Sequence, residues 1–247
     1  MEPKLAGVSA AILAGGLGTR LRPVVRDRSK VLAEVNGRPF IQFILDQLSG
    51  LGVRSTVLCA GYKGFQLEEA LGEHHQEMQL TYSIEPSPVG TAGALKLALP
   101  KMTCDPVLVL NGDSFCTANL PDFLTRHTKK KTTASIMLVH IEDTGAYGRV
   151  DIDDKERVTA FREKTGESKP GWINAGIYLL SHETIQSIPS GKPVSLENET
   201  FPAWISKGLH AFQSEGELFD IGTPERYERA PEFFRALNLE SQSGGAS

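Results

Sequence analysis

The stretch Leu13-Ala-Gly-Gly-Leu-Gly-Thr-Arg-Leu-Arg-Pro23 constrains the fold more than any other part of the chain. It follows Val8-Ser-Ala-Ala-Ile-Leu-Ala14, a short apolar run of the kind that forms a buried strand. Gly15, Gly16 and Gly18 let the backbone turn tightly and approach a ligand closely. Successive N–H groups in such a turn can converge on phosphate oxygens, and Arg20 and Arg22 add full positive charges at once. A dinucleotide fingerprint would need a third glycine where Leu21 stands, and a P-loop would need Gly-Lys-Ser/Thr, which Gly191-Lys192-Pro193 also fails to supply. The loop is therefore an anion-binding turn of another kind, following a strand.

The remainder alternates in a way that fits this strand. Helical spacing runs from Pro39 to Leu51 and stops at Gly52; Ser55 to Ala60 reads as a strand and Phe65 to Leu71 as a helix. Leu80 to Ile84 is strand-like, Thr91 to Leu99 helical up to Pro100, and Val107-Leu-Val-Leu110 a buried strand leading into Asn111-Gly112-Asp113. Strands that are apolar throughout, alternating with helices, predict a mainly parallel α/β sheet covered on both faces. From Ala134 the texture changes. Ala134–Ile141, Arg149–Asp153, Val158–Arg162 and Trp172–Leu180 are strand candidates with shorter links, followed by a helix near Leu196 to Ile205, strands around His210–Gln213 and Glu217–Ile221, and a closing helix from Pro224 to about Leu237. The expectation is one domain over 1–240, with a parallel part over about 8–115, a smaller β-rich lobe over about 116–240, and a disordered tail over 241–247.

Composition narrows the function classes. The 247 residues are 40% hydrophobic and 23% charged, with a formal net charge of −4, so no nucleic-acid or membrane-surface partner is implied. Any polyanion must be held by locally concentrated positive charge. Cys59, Cys104 and Cys116 form no metal-type spacing and fit a reducing compartment. The first residues, with Glu2 and Pro3, lack the apolar core of a signal peptide, and no apolar run nears the ~20 residues that span a bilayer. A cytoplasmic protein is expected. His74-His75 joins no motif and reads as surface.

Two aspartates carry the next argument. Asp113 stands just past a buried strand, where open α/β sheets place their ligand crevice, and Asp220 (Phe219-Asp-Ile-Gly-Thr-Pro224) stands at another strand end before a helix. Carboxylates facing phosphates need a cation between them, and magnesium prefers one or two carboxylates together with substrate oxygens.

The glycine loop resembles the G-G-x-G-T-R-L-x-P motif of the sugar-phosphate nucleotidylyltransferases in complete form. The resemblance extends over roughly Val8 to Arg229 and implies a Rossmann-like nucleotidyltransferase fold without the β-helix of larger relatives. It implies that Leu13, Ala14, Gly15, Gly16, Gly18 and Thr19 wrap the nucleotide and that Arg20 neutralises departing pyrophosphate. It implies that Lys30, here in Ser29-Lys30-Val31 without the usual flanking prolines, grips the α-phosphate. Glu85-Pro-Ser-Pro-Val-Gly90-Thr91-Ala-Gly93 is similar to the family's base-pocket loop, so Glu85, Gly90, Thr91 and Gly93, with Asn111 and Gly112, are implied in nucleotide binding. Tyr147-Gly148-Arg149, Glu163-Lys164 and Asn174-Ala175-Gly176 match the family's sugar-binding segments in order. Tyr147, Gly148, Glu163, Asn174 and Ala175 are thereby implied at the sugar, Lys164 at its phosphate, and Asp113 with Asp220 at Mg2+.

Within the family, Tyr82-Ser-Ile-Glu85, Val109-Leu-Asn-Gly-Asp-Ser-Phe115 and Ile173-Asn-Ala-Gly-Ile-Tyr-Leu-Leu180 look like the small guanylyltransferases acting on D-glycero-α-D-manno-heptose 1-phosphate. That likeness implies GTP and the heptose phosphate as substrates, GDP-heptose for bacterial surface polysaccharide as product, and a homodimer. Mannose 1-phosphate with GTP, and glucose 1-phosphate or N-acetylmuramate 1-phosphate with UTP, remain open. A non-catalytic sugar-nucleotide sensor is disfavoured because Arg20, Lys30, Asp113 and Asp220 are all present.

Overall fold

The computed structural model of the chain describes residues 5–16, 18–61, 63–162, 164 and 166–243, the last six by their backbone. The apolar run before the glycine loop forms β1 (Ser9–Leu13), the centre of a ten-stranded sheet. It is flanked in parallel by β2 (Ser55–Ala60) and, on the other side, by Val107–Asn111; β3 (Met78–Ile84) then pairs in parallel with β2. α1 (Phe40–Gly50) and α2 (Phe65–Leu71) supply the intervening crossovers, and α3 (Gly90–Ala98) leads from β3 toward Val107–Asn111, here β4. Side chains alternate faces along β1 and β4. Ala10, Ile12, Leu108 and Leu110 join Phe40, Ile41, Ile44 and Leu48 of α1 on one face; Ala11, Val107 and Val109 join Ala92, Leu95 and Ala98 of α3 on the other. Both faces are thus covered, as apolar parallel strands require.

The β-rich second half belongs to the same sheet. After the short strand β5 (Ser114–Cys116) and helix α4 (Leu120–Lys130) come β6 (Ala134–Ile141), β7 (Arg149–Ile152), β8 (Val158–Arg162) and β9 (Gly171–Leu180). The inner end of β9 pairs antiparallel with β4 from Ile177 to Leu180, while its outer end reaches β7 at Ile173, and β6 runs along its opposite edge. The expected β-rich part is therefore the antiparallel continuation of the same sheet. β9 spans the join because its register shifts between Asn174 and Tyr178, and Gly176 adopts a left-handed φ of +73° inside that bulge.

α4 went unforeseen because its exposed face is rich in lysine and threonine; Asn119 caps it by accepting from Asp122 N–H at 3.1 Å. The short helix α5 (His182–Gln186) precedes a five-residue π turn (Leu196–Thr200), which runs into α6 (Phe201–Trp204). β10 (His210–Ser214) adds in parallel to β6. β11 (Leu218–Asp220) leaves the main sheet and pairs with β5. α7 (Pro224–Ser243) packs Ala230 and Phe234 on the α1 face and extends past Leu237, so of the expected 241–247 tail the first three residues are helical and 244–247 lie outside the described residues. Phe234 stacks on Phe43 at 3.9 Å, and Phe219 on Phe233 at 4.5 Å, tying α7 to α1 and to β11.

Cys59 and Cys116 are buried as small apolar residues; burial pushes the Cys59 thiol up to about 12. His74–His75 forms a two-residue strand at the sheet edge, and only His74 is exposed; the His75 ring bonds Asp46 Oδ1 at 2.7 Å. Among the described residues no helix is long and apolar enough to cross a membrane.

Candidate functional site

The carboxyl ends of β1 and β4 and the glycine loop open onto one cleft with two adjoining cavities. A cavity of about 400 Å³ is lined by Leu13, Ala14, Gly15, Gly16, Glu85 and Thr91 among others. The second, about 320 Å³, has Arg20, Tyr147, Lys164, Asn174, Ala175 and Asp220 on its walls. Asn111, Asp113 and Glu197 border both. Those of the expected nucleotide and sugar residues that line the cleft fall into two neighbouring chambers. Arg20, expected at the nucleotide's phosphates, stands in the wall of the sugar-side chamber, facing the same space as Lys164.

The first chamber is shaped by glycines. A Cβ at Gly15 would come within 2.6 Å of Glu85 Oε1, and one at Gly61 would collide with the same carboxylate. Both glycines make room for Glu85, whose Oε2 accepts the Val89 N–H at 3.0 Å. Burial raises the Glu85 carboxyl above the ordinary glutamate range, against the opposing Val89 hydrogen bond.

Several motif glycines have duties other than ligand contact. Gly90, at φ +77°, lets α3 start against the backbone of Val194, where any Cβ would overlap the carbonyl oxygen. Ala92 N–H donates to that same carbonyl at 3.0 Å. Gly112 fits between Leu13 O, Ile12 and Val31; Gly93 lies against Val89, and Gly148 against Arg162 O. Thr91 does not cap α3, whose N-cap is Val89. Its hydroxyl donates to Glu197 Oε2 at 3.0 Å and accepts from Leu196 N–H at 2.8 Å. Gly18, Thr19, Gly93, Gly112 and Gly148 line neither chamber, and Glu163 lies outside the described residues.

At the junction stand the charged groups. Lys30 Nζ donates to Asp113 Oδ2 at 2.6 Å, the lysine side chain being only 12% exposed. A two-stranded ribbon brings Asp220 beside Asp113: β11 pairs with β5, Asp220 faces Ser114, and Ile221 N–H donates to Asp113 O at 3.0 Å. Arg226, one turn into α7, donates from Nη1 to both Asp220 oxygens at 2.9 and 2.8 Å. Tyr147 Oη donates to Asp220 Oδ2 at 2.8 Å, and the Arg226 guanidinium lies 4.6 Å from the Tyr147 ring centroid. Burial pushes the Asp220 carboxyl up, but the bonds from Tyr147, Arg226 and Gly222 N–H outweigh it and hold the group below the usual range.

Asn174 is set by the β9 bulge: its Oδ1 accepts Gly176 N–H at 2.8 Å and its Nδ2 donates to Tyr178 Oη at 3.0 Å. Gly176 is a glycine because Asn111 Nδ2 lies 2.8 Å from where a Cβ would stand.

Sequence reasoning missed Glu197 and Arg226. Glu197 sits in the π turn, a local geometry often found at functional sites, and its motif, Ser195-Leu-Glu197, gives no spacing signal. Arg226 could have been suspected as the first cation after Asp220 on a helical turn. The donor set fits magnesium, since Asp113 and Asp220 supply hard carboxylate oxygens from neighbouring strand ends on the cleft.

Residues 9–236 match the Nucleotidyl transferase family. The chain belongs to that family. It is 34% identical over 226 residues to a mannose-1-phosphate guanylyltransferase of Mycobacterium tuberculosis, covering 90% of this chain and 63% of that protein. It is 33% identical over 224 residues to a D-glycero-α-D-manno-heptose 1-phosphate guanylyltransferase of Aneurinibacillus thermoaerophilus, covering 90% of this chain and 96% of the relative. The chain thus spans under two thirds of the first relative and nearly all of the second. Among solved structures, HddC from Yersinia pseudotuberculosis in complex with GMP-PN superposes with a TM-score of 0.82 at 32% identity, covering 92% of this chain and 99% of that one. The mainly parallel sheet with helices on both faces is the fold these proteins share.

Proposed function

We propose that this nucleotidyl transferase joins GMP from GTP to a sugar 1-phosphate, with D-glycero-α-D-manno-heptose 1-phosphate as the favoured sugar and pyrophosphate as the product released. The observation that carries the choice of base is Glu85, an acceptor-only group on the wall of the nucleotide chamber with room made for it by Gly15 and Gly61. Guanine alone among the common bases offers two adjacent donors, the ring N1–H and the 2-amino group, to such a carboxylate. Uracil and thymine offer one N–H between two carbonyls, which a carboxylate repels. The near-full-length match to the heptose enzyme supports that sugar over mannose.

In this reading an oxygen of the sugar phosphate attacks the α-phosphorus of GTP. One P–O bond forms, the bond to the β-phosphate bridging oxygen breaks, and that oxygen leaves with the electron pair as pyrophosphate. A sugar phosphate is already anionic near pH 7, so no general base is needed, and the task is to align two polyanions. Backbone N–H groups at Gly15 and Gly16 face the nucleotide; Lys30 reaches the α-phosphate; Lys164 and Arg20, on the facing wall, take the incoming phosphate and the departing pyrophosphate. Asn174, fixed by Tyr178 and Gly176, accepts or donates at a sugar hydroxyl. Magnesium held by Asp113 and Asp220 would neutralise charge on the phosphates.

The test is pyrophosphate release with Mg2+ and each of GTP, UTP, CTP, ATP and dTTP against a panel of sugar 1-phosphates. GTP with the manno-heptose is expected to exceed GTP with mannose. A preference for UTP or dTTP would overturn the base assignment, and a preference for mannose the sugar.

A further inference from the structure

The two aspartates of the cleft junction each have a cation of their own, whereas Glu197, which borders both chambers, is held by the Thr91 and Ser195 hydroxyls. Asp113 is paired with Lys30 at 2.6 Å and Asp220 with Arg226 at 2.8 and 2.9 Å, and Tyr147 adds a hydrogen bond to Asp220. The Arg226 and Asp220 side chains are 27% and 14% exposed, so solvent screens their attraction little. The two pairs meet over one residue: a Cβ at Gly222 would stand 2.6 Å from Asp220 Oδ1 and 3.8 Å from Lys30 Nζ. The two ion pairs therefore adjoin one another at Gly222. A divalent cation entering alone must displace lysine or arginine from a carboxylate and leave that positive charge with no partner beside its own. Nucleotide phosphates change the balance, because they accept Lys30 and Arg226 and free the carboxylates.

We propose that Arg226 and Lys30 are internal counter-ions that exclude the divalent cation from Asp220 and Asp113 until nucleotide phosphates draw them away, so that metal and nucleotide bind only together. Arg226 is then a phosphate-binding residue whose resting partner is Asp220, with Tyr147 holding the carboxylate in place during the exchange. This rests on the nucleotidyl-transfer reading of the same cleft. It differs from a merely structural role for Arg226 in sign: removing a structural strut weakens the metal site, whereas removing a counter-ion strengthens it.

The experiment is Mn2+ binding to the whole protein, read from the electron paramagnetic resonance signal of free Mn2+, with no nucleotide and with GTP alone. Wild type should bind Mn2+ at least tenfold more tightly with GTP than GTP itself does, and only weakly without it. Without nucleotide, Arg226→Met should bind Mn2+ at least tenfold more tightly than wild type, and Arg226→Lys, which keeps the charge, should stay within threefold of wild type. Lys30→Met tests the other pair in the same direction and serves should Arg226→Met fail to give a wild-type circular dichroism spectrum. Nucleotide-free affinity unchanged or weakened in both methionine variants, alongside a normal wild-type ternary complex, would overturn the counter-ion role alone. No ternary complex of wild type with Mn2+ and GTP would overturn the underlying reading and the inference with it.

Discussion

The wall of the first chamber is shaped by glycines that let main chain approach closely, whereas in the second it is side chains that hold one another. Gly15 and Gly61 leave space for Glu85, and Gly90 lets the start of α3 meet the loop backbone at Val194, so this side works by close approach of main chain. Across the junction the antiparallel half depends on Tyr147, Asp220 and Arg226, and on Asn174 with Tyr178, each fixed by a side-chain partner. The difference teaches where each half is fragile. A backbone wall fails when a Cβ is added, and a side-chain wall fails when a partner is removed.

The sharpest break is at the junction that both halves share. Asp113→Ala should lower kcat by about 10³-fold, roughly 4 kcal/mol, while leaving the circular dichroism spectrum unchanged. Retention of a tenth of wild-type rate at saturating Mg2+ would remove Asp113 from the metal. Gly90→Ala should cost about 3 kcal/mol of unfolding free energy in urea, since a left-handed φ and a collision with Val194 O both oppose it. A loss below 1 kcal/mol would show that the backbone wall yields easily. Glu85→Gln should reduce kcat/KM for GTP by about 10- to 100-fold and for UTP far less, because one acceptor oxygen is exchanged for a donor facing guanine.

The Glu85 carboxyl titrates above the ordinary glutamate range, so it is protonated, and its acceptor role lost, as pH falls through that raised value. KM for GTP should therefore rise on acidification before an exposed glutamate would titrate, and the Glu85→Gln variant should lack that rise. The smallest effect is expected of Tyr147→Phe, about 1 kcal/mol of stability, because Arg226 and Gly222 N–H still hold Asp220. A loss as large as that of Gly90→Ala would mean that the side-chain wall has no redundancy.

The same contrast governs what the sequence makes legible. The glycine loop, the parallel strands and Asp113 are local features, and the helical and strand periods around them gave the order β1, α1, β2, α2, β3, α3, β4 almost residue for residue. Gly90 and Gly112 were singled out for nucleotide binding, and in the structure a side chain there would meet Val194 in one case and Leu13 and Val31 in the other. Spacing reveals that a glycine is needed without revealing what approaches it. Glu197 and Arg226 were invisible because neither lies within a motif: one enters through a π turn and the other through a helix far along the chain. The merging of the two expected parts into one sheet was equally hidden, since it depends on a bulge that lets β9 pair with β4 and β7 at its two ends.

The β5–β11 ribbon has a consequence for the protein as it is made. Asp113 and the glycine loop precede Asp220 and Arg226 by about a hundred residues or more, so they leave the ribosome well before them. The first strands and helices can assemble during synthesis, since their contacts are mostly sequential. The junction cannot, because its long-range pairing must wait for β11 and α7. An emerging chain can therefore lay down the strands behind the glycine loop first, and Asp113 and Asp220 come side by side only once synthesis has passed β11 and α7.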